Sequence, residues 1–150
     1  MDVYRKNILV VGLAKSGLSV SRWLVKKGAH VVIADIKGEE ELTPESLTEA
    51  VELGVRLETG RHREETFVHS DMIIVSPGVP LDIPPLRAAK ERGVPVVGEM
   101  EFAARLIHVP VVAVTGTNGK STAASLLGEM VEGSGARPFV GGNIGTPLMD

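Results

Sequence analysis

Cysteine is absent from this chain. Without a thiol neither a disulfide framework nor a thiolate metal site can form, and the absence fits a reducing compartment. Aromatic residues make up only 3%, too few for a base-stacking surface of the kind that single-stranded nucleic acids require. Basic charge is not in excess: 16 Lys and Arg against 19 Asp and Glu leave a formal net charge of −3, unlike the basic footprint of a nucleic-acid binder. The apolar run near the N-terminus, Ile8–Ala14, is too short to span a bilayer, and it ends in Lys15 rather than in a small-residue cleavage site. These exclusions point to a cytoplasmic protein with no nucleic-acid partner and no membrane insertion. What is present is ordinary for a globular chain: 150 residues, 43% hydrophobic and 23% charged, enough for one domain or one domain and part of another.

Short apolar runs alternate with amphipathic stretches. Asn7–Gly12 (NILVVG) reads as a strand covered on both faces. Ser16–Gly28 reads as a helix with a basic last turn and a glycine stop. His30–Asp35 is a second strand, Pro44–Leu53 a second helix, Val55–Glu58 a weaker third strand and Asp71–Ser76 a fourth. Pro77-Gly78-Val79-Pro80 is a turn signal. Pro84–Arg92 reads as a helix and Val94–Val97 as a fifth strand. Strands alternating with helices predict a doubly wound parallel α/β sheet, Rossmann-like, with right-handed crossovers. Gly98–Ile107 reads as a connecting helix, Pro110–Thr115 as a new strand, Lys120–Glu132 as a helix, Ala136–Val140 as a further strand and Gly141–Pro147 as a loop. A domain boundary is expected near Gly98. The segment beyond it has too few elements to close a core of its own, as if the chain stopped inside a domain.

Two loops carry the chemistry. Gly12-Leu13-Ala14-Lys15-Ser16-Gly17 approximates the dinucleotide fingerprint G-x-G-x-x-G, with Ala14 where the middle glycine would let backbone approach a pyrophosphate. Asp35 follows about 20 residues on, the place of a ribose-binding acid. Taken alone, these residues also fit a tight strand–helix turn with no ligand. A strand order of 3-2-1-4-5 would put the reversal between strands one and four, so that Leu13–Gly17 and Ser76–Pro80 flank the site of a nucleotide diphosphate. By itself Ser76-Pro77-Gly78 is equally well a simple turn.

The second loop is Thr115-Gly116-Thr117-Asn118-Gly119-Lys120-Ser121-Thr122. Val114 stands where the full P-loop pattern has its first glycine, but the core G-x-x-G-K-S is intact. Gly116 and Gly119 let amides turn toward an anion, Lys120 supplies a cation, and Ser121 is placed to ligate magnesium, with Thr122 as a further donor.

GTNGKST (116–122) behind an apolar strand resembles the ATP loop of the Mur ligases, cytoplasmic enzymes of peptidoglycan precursor synthesis. GLAKSGLS (12–19), SPGVP (76–80), GEMEF (98–102) and GGNIGTP (141–147) extend the likeness over essentially the whole chain. Within the family they match most closely the members that add D-glutamate to UDP-N-acetylmuramoyl-L-alanine. The resemblance implies an ATP-dependent, amide-forming ligase that works through an acyl phosphate, with ATP and Mg2+ as cofactors, acting as a monomer. It implies a UDP-substrate domain at 1–98 and the start of a central ATP-binding domain at 99–150. Gly116, Thr117, Asn118, Gly119, Lys120, Ser121 and Thr122 would hold ATP, with Lys120 catalytic and Ser121 on the metal. Lys15, Ser16, Asp35, Ile36, Lys37, Ser76 and Gly78 would border the UDP site, and Asn143 would touch the UDP-sugar. The hydrophobic Ile36 offers no side-chain hydrogen bond. The family's further magnesium ligands, its carbamylated lysine and its D-glutamate-binding domain would lie beyond Asp150, so the chain by itself is expected to be an N-terminal fragment without ligase activity.

Two other readings stand beside this one. An NAD-dependent oxidoreductase accounts for Gly12, Gly17 and Asp35 but leaves 116–122 unused. A non-catalytic nucleotide-binding module accounts for the short second segment. The remaining features read plainly: His30, His62, His69 and His108 as surface or core histidines, Arg61–Glu65 as a solvated charged face, and Trp23 as core.

Overall fold

A computed structural model describes residues 2–142 and 146–149. The chain divides into two compact units, 1–106 and 107–148.

The first unit is built on five parallel strands: β1 (Asn7–Val11), β2 (His30–Ala34), β3 (Arg56–Glu58), β4 (Met72–Val75) and β5 (Val96–Gly98). Their order is β3-β2-β1-β4-β5, the arrangement that puts the reversal between β1 and β4. β1 is central, pairing with β2 from Asn7↔His30 to Val11↔Ala34 and with β4 from Ile8↔Met72 to Val11↔Val75. Its continuous apolar run follows from that position. Ile8 and Val10 enter one core, with Leu18, Val20 and Leu24 of helix α1 (Lys15–Lys26), Ala50 of α2 (Pro44–Glu52) and Phe102 of α5 (Glu99–Ala104). Leu9 and Val11 enter the other, with Phe67 of α3 (Glu64–Val68) and Leu86 and Ala89 of α4 (Pro84–Glu91). A strand buried on both faces has no polar side to alternate with.

Local signals place the helices. α2 begins with Pro44 behind Thr43, whose hydroxyl oxygen accepts the Ser46 amide at 3.3 Å. Thr43→Ala should therefore lower the stability of this unit by about 1 kcal/mol, the usual value of such a cap, read as a lower urea midpoint with unchanged slope. Trp23 is only partly buried. Its ring meets Phe102 edge-on at 5.6 Å, and the Lys27 ammonium lies over it.

Two expectations are corrected and one element is added. The charged run Arg61–Glu65 is exposed except for His62, but it leads into α3, an element not foreseen, whose Phe67 is fully buried. Five residues are too few for a helical period to show in sequence, so α3 depends on packing. Pro110–Thr115 and Ala136–Val140 form no strand among the described residues, and Val111 and Val112 are exposed. Apolar composition does not make a strand without a neighbour to share its ladder bonds.

The second unit has one helix, α6 (Lys120–Gly133), which begins where expected. Gly128 faces Val140 so closely that a Cβ there would lie 2.4 Å from the valine Cγ2. Leu126, Leu127, Met130 and Val131 are exposed. No helix among the described residues is long and apolar enough to cross a membrane.

Candidate functional site

The switch point of the sheet lies between β1 and β4, whose carboxyl ends lead into Gly12–Gly17 and Ser76–Pro80. The first loop is fixed by its neighbours. Gly12 has φ +105°, a conformation that costs a side-chain-bearing residue dearly, and its amide donates to the Ala34 carbonyl at 2.8 Å. A Cβ at Gly12 would meet the Ser76 side chain at 3.0 Å, and one at Gly17 would lie 2.1 Å from the Gly12 carbonyl oxygen. Both glycines are thus required by close approach within the protein. Ser76 is buried, and its hydroxyl donates to the Gly12 carbonyl at 3.3 Å. It ties the two loops together across the switch point.

Asp35, at the end of β2, uses both carboxylate oxygens on this edge. Oδ2 accepts the Leu13 amide at 2.7 Å and Oδ1 accepts the Lys37 amide at 2.9 Å. The loop after β3 joins in, with the Gly60 amide donating to the Lys37 carbonyl at 2.8 Å. Beneath it the buried Glu58 carboxylate accepts from Arg56 at 2.6 Å and from the Thr66 hydroxyl at 2.9 Å.

The first turn of α1 carries no side-chain cap, Ala14 being its N-cap, and has no acidic residue. Its free amides and the positive end of its dipole suit an anion. Lys15 is exposed there and Ser16 half-buried. Lys15 and Ser16 at the start of α1 and Asp35, Ser76 and Gly78 on loops thus lie at one end of the sheet, and exposed Ile36 and Lys37 follow β2 at the same end. Asn143 lies outside the described residues. Residue 62, which the sequence did not single out, sits in the loop bonded to Lys37 and carries a side-chain nitrogen that is buried without a partner.

In the second unit Gly119 is left-handed at φ +74° and serves as the N-cap of α6, again with no side-chain cap and no acidic residue in the first turn. Only glycine adopts that turn freely, and it delivers Lys120 to the first helical position. The Lys120 ammonium donates to the Gly116 carbonyl at 2.6 Å and the Thr117 carbonyl at 3.4 Å. The lysine therefore lies over the loop it follows. Thr115, Gly116, Thr117, Asn118, Ser121 and Thr122 are exposed.

A parallel sheet with an uncapped helix at its switch point, followed by a glycine–lysine loop opening a second helix, defines an α/β protein of the Rossmann-like class. The chain belongs to the Mur ligase family: the profile for the Mur ligase MurD-like N-terminal domain matches residues 6–98. It is 51% identical over 150 residues to a UDP-N-acetylmuramoylalanine–D-glutamate ligase of Desulfatibacillum aliphaticivorans, an alignment that covers 100% of this chain and 33% of that protein. Among solved structures it resembles a pseudomurein peptide ligase type C from Methanothermus fervidus, with a TM-score of 0.55 and 26% identity over 87% of this chain and 26% of that one. It also resembles the UDP-N-acetylmuramate-alanine ligase MurC of Thermotoga maritima, with a TM-score of 0.57 and 23% identity over 85% of this chain and 29% of that one, a likeness of fold. The chain spans one third of the length of the curated relatives it matches.

Proposed function

We propose that this chain is the N-terminal part of a cytoplasmic ATP-dependent ligase that adds D-glutamate to UDP-N-acetylmuramoyl-L-alanine in peptidoglycan precursor synthesis, and that it does not catalyse the reaction by itself. One observation carries the reading: the whole chain, both phosphate-type loops included, aligns at 51% identity with a ligase of that name.

In this reading 1–98 is the UDP-substrate domain and 99–150 opens the central ATP-binding domain. The diphosphate of the substrate takes the amides at the start of α1, beside Lys15 and Ser16. Ser76 and Gly78 form the opposite lip, and Asp35, Ile36 and Lys37 border the nucleoside end. Asn143 contacts the sugar. ATP, when bound, would supply the phosphoryl group that converts the substrate carboxylate to an acyl phosphate with release of ADP, and attack by the D-glutamate amine would form the amide with release of phosphate. The donor set of 116–122 fits that polyphosphate: a lysine, three hydroxyls, glycine-flanked amides and no carboxylate. Lys120 would exchange its two carbonyl partners for phosphate oxygens and offset the charge that develops during transfer. Among the described residues no group of three or more His, Cys, Asp or Glu could hold a metal. Magnesium here would take the Ser121 hydroxyl and otherwise rely on phosphate oxygens and water, as this cation commonly does.

The rival reading, an NAD-dependent oxidoreductase, accounts for Gly12, Gly17 and Asp35 but leaves 116–122 unused. Calorimetric titration separates the two. Binding of UDP-N-acetylmuramoyl-L-alanine and no response to NADH is the expected result; tight NADH binding with no response to the UDP-sugar would reverse the assignment.

A further inference from the structure

We propose that His62 is a positioning residue of the nucleotide cleft: its uncharged imidazole, seated edge-on against Phe67, holds the loop after β3 against the loop after β2, and protonation of the ring loosens the arrangement of Asp35. The inference rests on the reading of this edge as the nucleoside end of the site.

Four observations support it. The imidazole meets the Phe67 ring at 5.4 Å with an interplanar angle of 66°, and Phe67 is itself fully buried. The Nδ1 atom is buried with no hydrogen-bond partner. Two residues before His62, the Gly60 amide is bonded to the Lys37 carbonyl. The Lys37 amide in turn is bonded to Asp35, whose other oxygen holds Leu13 of the glycine loop. A continuous set of contacts therefore runs from Phe67 through His62 and its loop to the residue that borders the nucleoside.

The chemistry of the ring gives this set a response to pH. In the neutral imidazole an enclosed nitrogen can remain a bare acceptor. In the imidazolium both nitrogens are donors, and the enclosed one would carry a proton and a share of charge with no acceptor to receive it. Burial accordingly lowers the His62 pKa below its ordinary value, and the opposing field of the Asp35 carboxylate offsets that only in part. Asp35 is the charged group whose field reaches the ring. The Glu58 carboxylate of β3 is held by Arg56 and Thr66. Lys37 on the facing loop, Arg61 and Arg63 on either side, and Glu64 and Glu65 of α3 are all exposed.

Because the folded pKa lies below the unfolded one, the unfolded chain binds more protons in the interval between them. Stability from the neutral ring is complete above the unfolded value and is lost as pH falls toward the folded one. Charging the ring should push it off Phe67 toward solvent and Asp35, disturbing the carboxylate's two amide bonds.

The test is a pH titration of the 150-residue chain from 7.5 to 5 by NMR, following the His62 ring and the Leu13 and Lys37 amides, alongside calorimetry with uridine diphosphate. The two amides should shift with the midpoint of the His62 ring and should lose that component in His62→Leu. Affinity for uridine diphosphate should fall by about threefold or more between pH 7.5 and 5.5 relative to His62→Leu, a comparison that cancels the titration of the ligand's own phosphate. His62→Gln, neutral but polar, repeats the comparison if the leucine variant fails to fold. Amide shifts that ignore the ring, or that persist unchanged in both variants, would overturn the proposal. If uridine diphosphate binds at no pH, the nucleotide reading of the cleft falls, and the amide titration still decides the role of His62.

Discussion

Replacing Lys120 by alanine in a full-length ligase carrying this segment should slow turnover by about 100- to 1,000-fold, the scale on which one preorganised charge acts at a transition state. Lys120 is the cation of the 115–122 loop, and its ammonium lies within hydrogen-bonding reach of two loop carbonyls. Alanine removes the charge and these two bonds but leaves Gly116 and Gly119 in place, so the loop keeps the residues that shape it. Binding of the UDP-substrate belongs in this reading to the first unit, and its dissociation constant should not change. Steady-state kinetics and calorimetry on the same preparation separate the two effects. A turnover rate equal to that of the parent would refute the role assigned to Lys120, and a loss of UDP-substrate binding would refute the division of labour between the units.

Gly17→Ala is the second large effect, and here local and tertiary preferences have opposite signs. Gly17 is in the first turn of α1, where helix propensity alone favours alanine by up to about 1 kcal/mol. The added Cβ, however, would lie 2.1 Å from the carbonyl oxygen of Gly12 and 3.0 Å from the Ser76 hydroxyl. The first of these is a backbone atom, and Gly12 is itself held by its amide bond to Ala34 and by Ser76. Relief requires moving either β1's exit or the start of α1. Overpacking of this kind commonly costs 1–3 kcal/mol, and with backbone on both sides of the clash the expected loss is about 3 kcal/mol. Urea denaturation of the chain should show the lower midpoint, and calorimetry should show weaker binding of the UDP-substrate, because in the proposed reading the displaced atoms form its diphosphate loop. An alanine variant as stable as the parent would show that the Gly12–Gly17 contact yields easily and that Gly17 is not constrained by packing.

Individual residues show how far the sequence could be read. The apolar run at Ile8–Val11 foretold a central strand because both of its faces are covered. The parallel sheet was legible from strands alternating with helices, whereas the strand order was only one of the few arrangements that parallel crossovers leave. The glycine–lysine loop was legible because its spacing is tied to its task. Three features were not legible. Helix α3 is a single short segment committed by one buried phenylalanine, and its surrounding charges mask it. The valines at 111 and 112 have strand composition but no described partner strand. His62 belongs to no motif, and nothing in its neighbours announces a ring nitrogen buried without a partner.

Periodicity and turn residues by themselves determined the class of fold and the places of the two glycine-bearing loops, because those depend on residues close together in the chain. The tertiary structure alone decided what holds the first loop in shape. Ser76 reaches Gly12 across 64 positions, and Asp35 reaches Leu13 across 22. Such bonds are set by the register of β1 against β2 and β4, which buries one set of side chains on each face and so brings distant loops to the same edge of the sheet.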